Sequence, residues 1–167
     1  MRGLGKIEML EENSQTERCK SLIIAEKDFA VAASQERVWR LMGKVIFSSL
    51  PGLENVEILD ENNFRAILRM KVLGVRWSMK LKGEMVDVLP PESFSVKLFI
   101  ESPGGLFAME QKVALAMTAV DKTKTKVACK VTADSMGILI RALLLGQARR
   151  FARSTLEAIE KRLKELA

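Results

Sequence analysis

The chain has 167 residues, 48% hydrophobic and 29% charged, and its 27 Lys and Arg against 21 Asp and Glu give a formal charge of +6. That length and balance fit one folded domain and exclude a largely disordered chain, while the basic excess fits either plain solubility or attraction to an anionic partner. Histidine and tyrosine are both absent, which excludes Ser-His-Asp and Cys-His catalysis, histidine-ligated metals and a phenol acting as acid or oxyanion donor.

Residues 1–18 are polar and mixed, with Ile7, Met9 and Leu10 as their apolar group, and read as an arm or a short extra strand ahead of a single domain over 19–167. Lys20 to Ala33 is β-rich, and Phe29 and Val31 set a period of two. Ser34 is a good N-cap, Glu36 suits the first turn, and Gly43 is expected to end a short helix carrying Val38, Trp39 and Met42 on its inner side. Lys44 to Ser49 reads as a second short helix, stopped by Pro51. Strands follow over Val56–Asp60, Phe64–Leu73, Val75–Leu89, Phe94–Ser102, Phe107–Val120 and Lys126–Asp134, separated by turn signals at Asn62-Asn63, Gly74, Pro90-Pro91, Pro103-Gly104-Gly105 and Asp121-Lys122-Thr123. From Met136 the period becomes helical, with Leu144, Ala148, Phe151, Thr155, Ile159, Leu163 and Leu166 on one stripe and Arg149, Arg150, Arg153, Lys161 and Lys164 opposite.

Neighbouring side chains on a strand point to opposite faces. Phe64, Ala66, Leu68, Met70 and Val72 therefore share a face, as do Val75, Trp77, Met79, Leu81 and Met85, then Phe94, Val96, Leu98 and Ile100, then Met109, Val113, Leu115 and Met117. The alternate positions are mostly charged, the pattern of a sheet packed on one side under a helix. The methionines of the apolar face, with Trp77 among them, are either ordinary core or a deformable pocket for a lipid-like molecule. Gln111 is the polar exception, an amide that either bonds the backbone or holds the polar end of a ligand. Arg141 either reaches solvent past an apolar segment or sits at a pocket mouth. The run Met136 to Leu145 is more apolar than one buried stripe requires, and Gly104-Gly105 is either a plain hairpin or a lid over the same entrance.

Cys19 and Cys129 have neither metal-ligand spacing nor the makings of a disulfide framework, so they read as small strand hydrophobes. No metal and no cofactor is expected. No segment near the start has signal-peptide character and no apolar run reaches the roughly 18 residues of a bilayer span, so a cytoplasmic protein, in peripheral contact with a membrane at most, is the expectation. Nucleic acid is not expected as a partner, because the basic residues are spread out and the charged faces carry almost no aromatic residue for stacking.

The strand Phe29–Ala33, the Ser34-capped helix with Trp39 and Met42, the turn Leu50-Pro51-Gly52-Leu53, the all-strand middle and the single long terminal helix together resemble the START / birch-pollen-allergen / polyketide-cyclase superfamily over Ser21 to Leu166. Within it the chain is most similar to the carbon monoxide dehydrogenase G-subunit branch, which also carries a Leu-Pro-Gly after its short helices. The resemblance implies an α+β helix-grip fold: a curved antiparallel sheet of about seven strands wrapped around a long C-terminal helix, with two short helices after the first strand. It implies non-catalytic binding of a lipid, isoprenoid or quinone in a cavity between sheet and helix. It also implies service to a molybdenum hydroxylase, by membrane recruitment or delivery of an electron acceptor. The cavity is expected to measure about 300–1,000 Å³. Its ligand contacts would be Leu68, Met70, Trp77, Met79, Leu81, Leu98, Ile100, Met109, Gln111, Val113, Leu115, Met117, Leu139 and Leu143. Ile138, Leu139 and Leu143 would flank its mouth opposite the Pro103–Phe107 loop, and the nearby basic residues favour an anionic membrane or a redox-enzyme partner. Two other readings stand beside this one: a cyclase or hydrolase-type enzyme of the same fold, and a structural or chaperone-like protein that holds a partner with its apolar tip.

Overall fold

The computed structural model describes residues 22–134 and 138–167, with side chains in the second span described from 145 onward. The arm expected over 1–18, and Cys19, lie outside the described residues. The order of elements is β1 (Leu22–Val31), α1 (Gln35–Ser49), β2 (Leu53–Ile58), β3 (Asn63–Val72), β4 (Val75–Leu89), β5 (Ser93–Glu101), a 3₁₀ turn at Pro103–Gly105, β6 (Ala108–Asp121), β7 (Lys124–Asp134) and α2 (Ile138–Leu166). The strands form one seven-stranded sheet in the order β1-β7-β6-β5-β4-β3-β2, and every pairing is antiparallel. The first strand thus closes onto the last, and α1 spans from one edge of the sheet to the other.

The expected face assignments hold. Leu68, Met79, Leu81, Leu98, Ile100, Leu115 and Met117 are buried, whereas Arg65, Arg69, Lys80, Lys82 and Lys97 between them are exposed. α2 lies over the apolar face with Ala148, Ala152, Thr155, Leu156, Ile159 and Leu163 buried. The expected stripe drifts by one position, as a period of 3.6 requires: Ala152 and Leu156 join it and Leu166, the last helical residue, stays exposed. Register breaks in β1, β2, β4 and β6 bend the sheet around this helix. Asn55 and Asp87, at the breaks in β2 and β4, take φ of +52°.

The segment after β1 corrects one expectation. A single helix, not two, runs from Gln35 to Ser49. Ser34 caps it as anticipated, its hydroxyl accepting from the Arg37 amide at 3.4 Å. Gly43 does not end it. A glycine inside a helix costs about 1 kcal/mol. Continuing the helix buries Val45 and sets the Phe47 ring edge-on to Phe64 at 4.8 Å, and each such side chain contributes roughly 1.5–3 kcal/mol. Packing therefore outweighs the local signal. Leu50, restricted by Pro51, adopts φ −75° and ψ 111° and ends the helix. Gly52 follows at φ +78°, and a Cβ there would collide with the Arg69 carbonyl. The Arg69 amide donates to the Gly52 carbonyl at 2.8 Å. The Leu-Pro-Gly turn thus pins the end of α1 against β3, and β2 starts at Leu53, earlier than its sequence pattern indicates.

Lys27 on β1 pairs with Glu160 of α2, tying helix to sheet edge. The Lys164 ammonium first, and Lys27 second, hold the Glu160 carboxyl below its ordinary 4.5. A carboxyl lowered in the folded state contributes stability above its unfolded pKa, and that contribution fades as pH falls through the folded value. The expected outcome is an acid-side loss of melting temperature below pH 4.5 that is smaller in Glu160→Gln. Thermal scans from neutral to acid pH compare the two. Gly43→Ala, where an added Cβ meets no atom within 4 Å, is expected to raise stability by about 1 kcal/mol in urea titrations.

Candidate functional site

Register brings most of the expected ligand residues onto one surface. Met70 faces Trp77 and Leu68 faces Met79 across β3 and β4. Leu81 faces Ile100, and Ile100 in turn faces Met109, with Leu98 beside Gln111. Val113, Leu115 and Met117 continue the face toward β7. All of these are buried except Met70 and Trp77, which are half-buried at one end of the face. The side chains of Leu139 and Leu143, like those of Ile138 and Arg141, lie outside the described residues.

Gln111 is 1% exposed in the middle of this surface. Among the described residues its side chain makes one hydrogen bond, from Nε2 to the Met109 thioether at 3.5 Å. Sulfur is a weak acceptor, so among the described residues the amide has only a weak partner. Of the other buried polar side chains, Thr125 donates to the Ala33 carbonyl at 2.8 Å and Thr155 to that of Phe151 at 2.9 Å, whereas Ser49 Oγ finds no partner among the described residues. Cys129 is buried beneath α2, and burial, reinforced by the charge of Asp28, pushes its thiol up to about 12. It stays protonated at neutral pH and is no nucleophile there.

At the Met70–Trp77 end the Phe107 ring meets Trp77 edge-on, 6.0 Å between centroids. The loop carrying Phe107 is a pinned turn. The Ser102 amide donates to the Phe107 carbonyl at 2.9 Å, and the Phe107 amide donates to Ser102 Oγ at 2.9 Å. Beside it, Leu106 is 74% exposed, as are Leu73 at 67% and Val75 at 56% on the β3–β4 hairpin. Leu73 and Val75 make the hairpin an apolar tip, with Lys71 and Arg76 paired across it.

The inner face is also open beneath α1. There a recess of about 270 Å³ has walls from Trp39, Met42, Ile46, Phe47, Phe64, Met85, Phe94 and Val96, with Arg40 and Gly43 at the helix. Trp39 and Phe94 meet edge-on at 5.5 Å. None of these is among the expected ligand residues. The signal for them is on the helix: residues 39, 43, 46 and 47 form a second stripe beside the fully buried Val38, Met42, Val45 and Ser49, so α1 is apolar over a wider arc than its burial needs. A larger recess of about 680 Å³ lies on the outer face, over Ser93, Ser95, Ala114, Ala116 and Ala128. Its charged flanks are already matched, Lys112 to Asp87 at 3.0 Å and Lys130 to Glu26 at 3.6 Å.

The family model described as the carbon monoxide dehydrogenase G-subunit (CoxG) matches residues 28–165. Among solved structures, a conserved protein from Geobacillus kaustophilus is similar at 16% identity and TM-score 0.66, over 84% of this chain and 94% of that one. The Zhui aromatase/cyclase from Streptomyces sp. R1128 is similar at 17% and 0.57, over 88% and 94%. A START superfamily protein from Mycobacterium smegmatis is similar at 14% and 0.55, over 86% and 98%. At these identities the likeness speaks to the helix-grip fold. No curated protein matches the chain in sequence.

An arginine placed at Leu81 or Val113 would bury an uncompensated charge, so either substitution is expected to cost on the order of 4 kcal/mol or to abolish folding. Arg149→Glu, on the exposed side of α2, is expected to stay within about 0.5 kcal/mol of the parent. Urea unfolding of the three variants is the check, and a larger loss in Arg149→Glu would invert the face assignment.

Proposed function

The chain belongs to the CoxG family, that of the carbon monoxide dehydrogenase G-subunit, and on that premise we propose that it binds a hydrophobic small molecule of the lipid, isoprenoid or quinone class against the inner face of its sheet, without transforming it. The observation that carries this reading is the inner face itself. It is a broad, bent apolar surface with a weakly partnered amide, Gln111, in the middle and half-buried Met70 and Trp77 at its end. Thioethers accommodate varied apolar shapes, and Gln111 serves as donor to a carbonyl or hydroxyl of the ligand. The cargo is exchanged with a molybdenum hydroxylase partner on one side and a membrane on the other.

The apolar tip is the route to the membrane. Among the described residues no helix is long and apolar enough to cross a bilayer, so contact there is peripheral. Leu73 and Gly74 take φ of +51° and +80° in a two-residue turn between Val72 and Val75. Asn-Gly is the favoured pair in such a turn, and a leucine in the left-handed region costs about 1 kcal/mol. An exposed leucine held at that cost has no packing role, and Val75, Lys71 and Arg76 stand beside it on the hairpin. Apolar side chains that enter an interface, flanked by cations worth about 1 kcal/mol each near anionic lipid, fit a membrane-touching edge.

Leu73→Asn separates this role from folding. It is expected to raise thermal stability, by roughly 0.5–1 kcal/mol, while weakening co-sedimentation with anionic vesicles. The parent is expected to bind anionic but not neutral vesicles, less so at high salt. Native mass spectrometry of purified protein is expected to show a co-purifying apolar molecule. Absence of such a molecule, together with no partition to either vesicle type, would sink the reading.

A further inference from the structure

We propose that the recess beneath α1 is a second, separate binding site, for a small aromatic carboxylate whose ring enters the recess while its charge meets Arg40. At about 270 Å³ the space falls just below the usual range of ligand pockets, roughly 300–1,000 Å³. It fits a ring system and not a lipid chain. Trp39 and Phe47 on the helix each meet a strand aromatic edge-on, Phe94 and Phe64 respectively. A planar guest can meet these rings by the same edge-to-face geometry. The wall also holds the thioether of Met85, which adapts to the guest's outline.

Two features of α1 point to an occupant and not to leftover space. Gly43 sits in the wall with no atom within 4 Å of where its Cβ would be. The glycine is at a helical, not a left-handed, backbone position, so the backbone does not require it, and it lowers helix stability by about 1 kcal/mol. What it provides is room. Arg40 is the one charged residue in the wall, and no acidic side chain lines the recess. Among the described residues Arg40 has no carboxylate partner, and its Nε donates only to the Glu36 carbonyl, at 3.4 Å. The remaining guanidinium donors face a carboxylate at the rim, where a charge-assisted pair fixes the guest's orientation.

The test uses the full chain with ¹³C-methyl methionine and 1-naphthoate as the probe, with the neutral 1-naphthalenemethanol beside it. Saturable shifts of the Met42 and Met85 methyl signals are expected, leaving Met109 and Met117 unmoved. Arg40→Ala is expected to weaken naphthoate about tenfold and to leave the alcohol unchanged. Gly43→Leu fills the recess and is expected to abolish both while keeping or raising the melting temperature. Shifts at Met109 and Met117 instead would assign the probe to the inner face beneath α2 and overturn the proposal without touching the reading above. A shift at Met9 would mean that the chain's own N-terminal segment occupies the recess, which also overturns it. So would equal naphthoate affinity in Arg40→Ala, undiminished binding in Gly43→Leu, or no saturable shift at all.

Discussion

The structure depends on covering one apolar face of a wide sheet with a single helix. Seven strands at about 4.8 Å spacing make a sheet roughly 29 Å across, while a helix with its side chains is only about 10–12 Å thick. A flat sheet would leave most of its apolar residues in water. The strands therefore bend at their register breaks, and β1 joins β7 so that the face wraps toward α2. α1 covers part of what remains. Among the described residues, neither helix closes the face at the recess beneath α1 or at the end with Met70, Trp77 and Phe107. These openings are thus direct consequences of the mismatch between sheet width and helix width.

Charge is kept almost wholly outside. The ion pairs on the outer face, such as Arg65 with Glu57 and Arg69 with Glu54, are exposed and screened by solvent, so they add little to stability. Their main effect is solubility and the choice of face, since an inverted register would bury them all. Inside, among the described residues, the chemistry is sparse: thioethers, a few serine and threonine hydroxyls, the Gln111 amide and a thiol held protonated by burial.

Two glycines and one leucine show how local preference and tertiary demand are balanced. At Gly52 they agree, because the positive φ and the close approach of Arg69 both require the absence of a side chain. At Gly43 and Leu73 they disagree. A helix is weakened by a glycine that packing does not need, and a turn is strained by a leucine that the core does not use. Gly43 lies in the wall of the recess beneath α1, and Leu73 lies on the exposed β3–β4 turn.

The strand faces, the N-cap at Ser34, the turn at Leu50-Pro51-Gly52 and the amphipathic terminal helix were legible in the sequence, because each is written in residues near one another along the chain. A period of two assigns Leu68, Met79 and Ile100 to one face without knowledge of their partners. What the tertiary structure decided is non-local. Gly43 lies inside a helix because Phe47 finds Phe64, and β2 begins at Leu53 because Gly52 abuts Arg69. The Pro103–Phe107 loop reaches the end of the inner face because β4 carries Trp77 to Phe107. Trp39 and Met85 face one recess because α1 crosses the sheet near β5. Periodicity fixes which way a side chain points, but only the packing of distant segments fixes what it meets.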